Sequence, residues 1–259
     1  MNIAVCAKRV PLSGGRWELT ADGTEIDTSG ASMGFTLSPH EECAAEAAVQ
    51  LVEEFGGSST VITVGVADSE EQIRSLLAVG IDRGVIVETD GGEWDPQGTS
   101  SALIEQVRAG SPDGAYDLVL LGTEAADTAD FQVGIRIAHA LGWPVVTNVK
   151  GLKITDGVAR CERAVGSYRE IYEVSLPAVI TVKDGLNIPR YPSVPGRIKA
   201  RKKSVDFIAG ERPAPRLEKV KLALAVEEQR SAEILGTGTG NGADAVPALV
   251  ELFRTIGVI

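Results

Sequence analysis

Two short segments have the residue types and spacing to hold a charged ligand. The first is Gly122-Thr123-Glu124-Ala125-Ala126-Asp127-Thr128-Ala129-Asp130-Phe131-Gln132-Val133-Gly134. It combines a glycine that admits a close approach to the backbone, small side chains, and a helix start at Gln132 to Gly134 whose free amides could hold a phosphate. The same residues also suit an ordinary loop with capping acids. The second is Ser38-Pro39-His40-Glu41, a capping box with proline at the first helical position. It presents amides in the same way, although the cap and Glu41 already occupy some of them.

A third segment, Asn187 to Lys203, offers recognition rather than chemistry. It carries Arg190, Arg197, Lys199, Arg201, Lys202 and Lys203, no acid, and the apolar tips Tyr191 and Val194. Pro189, Pro192 and Pro195 keep it from being helical throughout. Such a loop suits docking to an acidic partner, and it also reads as a solvated connector.

Bond-making chemistry is not evident. There are two histidines, His40 and His139, and no HExxH, nucleophile elbow, Walker loop or GxGxxG after the first strand. Cys6 lies in a strand without a sequence-evident base and reads as a structural thiol, and His139 as a surface or packing residue. Cys6, Cys43 and Cys161 have neither metal-ligand spacing nor a disulfide framework, so free thiols and no metal site are expected.

Positioning these segments requires a layered α/β chain, and the sequence supplies one. Strands are expected at Ile3 to Ala7, Thr60 to Val66, Gly84 to Glu88 and Tyr116 to Gly122, with helices at Ser38 to Phe55, Ser69 to Val79, Gly98 to Ala109 and Val133 to Leu141. Consecutive apolar residues such as Val61-Ile62-Thr63-Val64 fit a parallel sheet covered on both faces. Between Pro11 and Thr36, Trp17, Leu19 and Ile26 flank an Asp22-Gly23 hairpin signal. Period-two patterns in Leu152 to Arg163 and Ile171 to Leu176 predict an antiparallel hairpin with Asp156-Gly157 at one turn, and a strand at Pro177 to Val182 follows. Residues 204–243, with Pro213, Pro215 and a GTGTGNG run, read as an extended arm before a last amphipathic helix near Asp244 to Ile256. The division is therefore expected as 1–203, a nucleotide-binding α/β domain with the recognition loop 187–203, and 204–259, an arm and helix.

The 259 residues suffice for a large buried core. A net charge of −11 argues against wholesale binding to nucleic acid or anionic membranes. Residues 41–130 hold 19 acidic against 3 basic side chains, which either solvate helix faces or shape an acidic surface. No apolar run approaches the length that spans a bilayer and no cleavage site follows the first strand, so a soluble, cytoplasmic protein without direct membrane insertion is expected.

The chain resembles the beta subunit of electron transfer flavoproteins over nearly its whole length. AVCAKRVP is similar to that family's opening strand and Lys-Arg-Val; LSPHEECAAEAA resembles its Asn-Pro helix start, with Ser38 in place of Asn. IRSLLAVGIDRGVIVE, YDLVLLG followed by Asp127 and Gln132-Val133-Gly134, and LGWPVVT are also similar. LPAVITVKDGLNIPRYPSVPGRIKARKK resembles the signature end and partner-recognition loop.

The resemblance implies a doubly wound, mostly parallel sheet of the adenine-nucleotide-binding, Rossmann-like type. It implies a heterodimer whose alpha subunit holds the redox-active FAD, with structural AMP in this chain. Electrons would arrive from acyl-CoA or other flavin dehydrogenases and leave to a quinone reductase or another acceptor, with no catalytic residue in this chain. The implied nucleotide contacts are Cys6, Ser38, Pro39, His40, Glu41, Val64, Gly122, Asp127, Gln132, Val133 and Gly134, with His40 also toward the flavin. The implied docking residues are Tyr191, Val194, Pro195, Lys199 and Lys202. The Gln-Val-Gly form and the sequence at Gly166-Ser167-Tyr168-Arg169-Glu170 depart from the usual pattern. The former resembles the electron-bifurcating branch, in which a second FAD replaces AMP and NADH is oxidised. A stand-alone adenine-nucleotide-binding regulatory protein is a further alternative.

Overall fold

Residues that alternate sides along an extended chain bury two faces when both sets are apolar. In β1 (Asn2–Cys6), Ile3 and Val5 face one side while Ala4 and Cys6 face the other, and all four are buried. The computed structural model describes residues 1–12, 18–28, 34–217, 219–224, 234–236 and 242–259. After β1 come the two-residue strands β2 (Val10–Pro11) and β3 (Phe35–Thr36), helix α1 (Pro39–Phe55), β4 (Ser58–Gly65), α2 (Glu70–Val79), β5 (Arg83–Glu88) and α3 (Pro96–Ala109). They are followed by β6 (Leu118–Gly122), α4 (Val133–Leu141), β7 (Val145–Val149), β8 (Gly151–Thr155), β9 (Val158–Val165), β10 (Tyr168–Ser175), β11 (Ala178–Val182), α5 (Val194–Ala200), β12 (Val205–Ala209) and α6 (Val246–Thr255).

Seven strands form a parallel sheet in the order β12-β5-β4-β1-β6-β11-β7. Helices α1 and α2 pack on the face of Ile3, Val61, Ile86 and Leu120; α3 and α4 pack on the face of Ala4, Ile62, Val119 and Val179. The chain builds outward from β1 through β4 and β5, then crosses back to β6 on the other side of β1. The loops leaving β1 and β6 therefore diverge, and the crevice at their carboxyl ends is where such sheets bind ligands.

The structure bears out the doubly wound architecture and amends it in three places. The antiparallel element is a three-stranded sheet in the order β10-β9-β8, not a two-stranded hairpin, because the turn at Gly166-Ser167 adds β10 to β9. Helix α3 begins at Pro96, two residues before the expected Gly98, because Asp95 caps it by accepting from the Gly98 amide at 2.6 Å. Residues 205–209 are not arm but β12, pairing in parallel with β5 from Val205 opposite Gly84 to Ala209 opposite Glu88, with Arg83 ion-paired to Asp206. The chain divides into two compact units, Met1–Lys221 and Leu222–Ile259. Leu19 bridges Ile26 across the Asp22-Gly23 turn, while Trp17 and most of the GTGTGNG run lie outside the described residues. Among the described residues no helix is long and apolar enough to cross a membrane.

Candidate functional site

At the switch point the N-terminus of α1 and the loop leaving β6 enclose a cleft of about 270 Å³, lined by Ser38, Pro39, His40, Glu124, Ala125, Ala126 and Ala129. Proline at the first turn and the capping box of Ser38 and Glu41 start α1 here. The carboxylate half of that box is a hydrogen bond from the Ser38 amide to Glu41 Oε2 at 3.3 Å, whereas the buried Ser38 hydroxyl meets no full hydrogen-bond partner. Gly122 sits tightly against this helix start. A Cβ there would lie 3.0 Å from the His40 Cβ and 3.2 Å from the Glu41 Cγ.

The two walls are tied by charge. Glu41 Oε1 accepts from the Lys8 amide at 3.0 Å, and the Lys8 ammonium pairs with Asp127 at 2.7 Å. Burial pushes the Glu41 carboxyl up to about 8, against the lowering effect of the Ser38 and Lys8 amides and the Lys8 charge. Burial, and after it the Glu41 charge, pushes the Cys6 thiol up to about 12, so this cysteine is inert. Cys6 and Val64, which packs with Val87, Trp94 and Ala102, are not among the lining residues.

The loop holds two non-glycine residues in the left-handed region, the lining residue Ala129 at φ 50° and Phe131 at φ 57°. It delivers the chain to α4, whose start carries no side-chain cap. Gln132 instead turns its carboxamide to Arg136, accepting from Nη2 at 2.9 Å and Nε at 3.2 Å. The first amides of α4 are thus left for water or a ligand. Gly134 lets α4 start close to the sheet, since a Cβ there would lie 2.5 Å from the Thr181 Cγ2.

Segment 187–203 is anchored, not a solvated connector. Asn187 donates to the Cys43 carbonyl at 2.9 Å, Lys203 donates to the Leu77 and Ile81 carbonyls at the end of α2, and Arg74 donates to the Ala200 and Lys203 carbonyls. Arg190 binds Glu46 and Glu53 on α1. The Glu53 pair is exposed and contributes about 0–1 kcal/mol. Glu46 is 4% exposed in its side chain, and stripping a buried carboxylate of its partner costs about 3–5 kcal/mol, so the buried pair dominates. Ser193 caps α5 through the Gly196 amide at 3.1 Å. Its outer side mixes apolar and basic residues: Ile188, Tyr191 and Val194 are 91%, 88% and 73% exposed, with Pro195, Arg197, Lys199, Arg201 and Lys202 exposed beside them.

Residues 31–210 match the family model of the electron transfer flavoprotein domain. The electron transfer flavoprotein beta subunit of Bacillus subtilis is 35% identical over 208 residues, 80% of this chain and 78% of its own. That of Thermoanaerobacterium thermosaccharolyticum is 32% identical over the whole of both chains. The chain belongs to the electron transfer flavoprotein beta-subunit family. As such a subunit it has an electron-transfer role in a flavoprotein, is a carrier rather than a catalyst, and implies an electron transfer flavoprotein alpha subunit as partner. The subunit CarD of the caffeyl-CoA reductase-Etf complex of Acetobacterium woodii is 36% identical over 208 residues, 77% of this chain and 75% of its own.

In this beta subunit the structure brings Ser38, Pro39 and His40 to the cleft and joins Asp127 to it through Lys8. Gln132, Val133 and Gly134 lie further along, at the start of α4. Sequence reasoning missed Asp184, which pairs with His40 at 3.2 Å, and did not distinguish Lys8 and Arg190 from other surface cations. The signal for Asp184 was its place just past the carboxyl end of β11, in the same tier as the two ligand loops.

Proposed function

We propose that this beta subunit binds AMP in the cleft between the start of α1 and the loop leaving β6. We further propose that it docks acyl-CoA or other flavin dehydrogenases through Tyr191, Val194 and Pro195, with Lys199 and Lys202 beside them. The observation that supports the reading is the cleft at the switch point between the start of α1 and the loop leaving β6, a loop that runs on to the uncapped start of α4. The residues fit an adenylate: backbone amides at α4 suit a phosphate where little fixed positive charge is spare, and the Ser38 hydroxyl supports a further hydrogen bond. AMP supplies binding and order but no redox chemistry, which belongs to the FAD assigned to the alpha subunit. His40, fixed by Asp184, is assigned the flavin-facing side. Electrons then leave to a quinone reductase or another acceptor, and the buried free cysteines suit a cytoplasmic setting.

The Gln132-Val133-Gly134 sequence and the likeness to CarD favour a second reading, a bifurcating subunit that holds FAD in the same place in a complex oxidising NADH. Purification of the native complex, denaturation, and chromatographic counting of released FAD and AMP per beta chain separates the two. One FAD and one AMP is the expected result. Two FAD and no AMP would establish the bifurcating reading, and adenylate without a flavin partner a stand-alone nucleotide-binding protein.

A further inference from the structure

The segment from Asp184 to Arg190 runs beside α1 in a fixed register. Asp184 meets His40 at 3.2 Å, Asn187 meets the Cys43 carbonyl at 2.9 Å, and Arg190 meets Glu46 at 2.9 Å, each step three residues further along both segments. At the last of these steps the contact is heaviest. The Arg190 amide donates to Glu46 Oε2 at 3.1 Å, Nε and Nη2 reach the same buried carboxylate, and Nη1 and Nη2 span Glu53 at 2.6 and 2.9 Å. The two carboxylates hold the guanidinium firmly charged. A planar fork gripping two carboxylates about two turns apart on one face of α1 fixes both the position and the orientation of the backbone that bears it. Tyr191 follows immediately and Val194 four residues on, at the start of α5.

We infer that Arg190 is a positioning residue for partner recognition: its clasp on Glu46 and Glu53 holds the exposed Tyr191 and Val194 at a fixed place relative to α1, whose other end forms the ligand cleft. The inference rests on the docking role proposed for this segment. A loop held in its binding-competent conformation lowers the ordering cost of association, so loss of the clasp raises the concentration of partner required while leaving the electron path unaltered.

The test uses the native complex with alpha, carrying Arg190→Gln. Because that change strands Glu46 as a buried charge, the double variant Glu46→Gln/Arg190→Gln is made beside it, removing charge and clasp together. Hydrogen exchange of amides 191–200 is measured first, and an increase of about tenfold or more is expected in the variants. Steady-state reduction of the complex by a purified acyl-CoA dehydrogenase and its acyl-CoA is measured second, with KM for the complex expected to rise about fivefold or more at unchanged kcat. Arg190→Lys should recover only part of both effects, since an ammonium is a compact charge without the planar fork that grips each carboxylate with two donors. Unchanged exchange in the folded double variant overturns the inference. Increased exchange with an unchanged KM overturns its recognition part. If the wild-type complex accepts no electrons from the dehydrogenase, the docking proposal fails and the inference with it, whereas the exchange result alone still reports the clasp.

Discussion

At the scale of the residue, Glu41 carries the sharpest electrostatic consequence. Its carboxyl, ordinarily near 4.5, is pushed up to about 8 by burial, so between these values the unfolded chain has lost the proton that the folded chain keeps. The folded state then binds more protons, and stability falls as pH rises from about 4.5 to about 8, levelling off beyond. Glu41→Gln, which cannot ionise, should lack this fall. Comparing denaturant unfolding of the two proteins at about pH 5 and about pH 9, the variant should gain on the wild type by on the order of a few kcal/mol. A wild-type-to-variant difference that is the same at both pH values would contradict the assignment. The raised carboxyl was not visible in the sequence, where Glu41 registers as the fourth residue of a capping box and, by resemblance, as a nucleotide contact. The Lys8 amide and the Lys8–Asp127 pair that surround it come from the loops that follow β1 and β6, strands adjacent only in the folded sheet.

At the scale of the element, local rules placed what local rules decide. The start of α1 follows from Ser38, Pro39 and Glu41, and its end at Phe55 from the glycine pair behind it. The parallel strands follow from runs of consecutive apolar residues. β12 escaped because Val205-Asp206-Phe207-Ile208-Ala209 is a short edge strand, with Phe207 47% exposed, and its one ladder partner lies some 120 residues earlier in β5. Helix α6 was legible from its period, and the structure leaves Val246, Leu249, Leu252 and Ile256 of that stripe and its end exposed at 38–60%. We assign this face to the alpha subunit, because an apolar stripe on a short arm has to be covered by something. Deletion of residues 244–259 should lower the yield of alpha recovered with tagged beta by about tenfold, the loss of roughly 1.4 kcal/mol of association energy or more. Full recovery of alpha with the truncated chain would show that the helix packs elsewhere.

At the scale of the whole molecule, the parallel sheet does two things with one helix. The first turn of α1 builds the wall of the cleft with the loop leaving β6, and its later turns hold the segment that presents Tyr191 and Val194. The overall resemblance was readable because its motifs are spread along the chain. The loop that gives the cleft Glu124, Ala125, Ala126 and Ala129 was readable as the segment Gly122 to Gly134, whereas Cys6 and Val64, carried over by resemblance, are not among the lining residues, because which strand side chains reach the cleft is fixed only in the folded sheet. The central claim is that an adenine nucleotide occupies this cleft. The most direct measurement is photolabelling of the native complex with an azido-adenylate, followed by peptide mapping. The account predicts adducts within residues 38–41 or 122–134, suppressed by excess AMP. Adducts confined to other parts of the chain, or none that AMP suppresses, would contradict it.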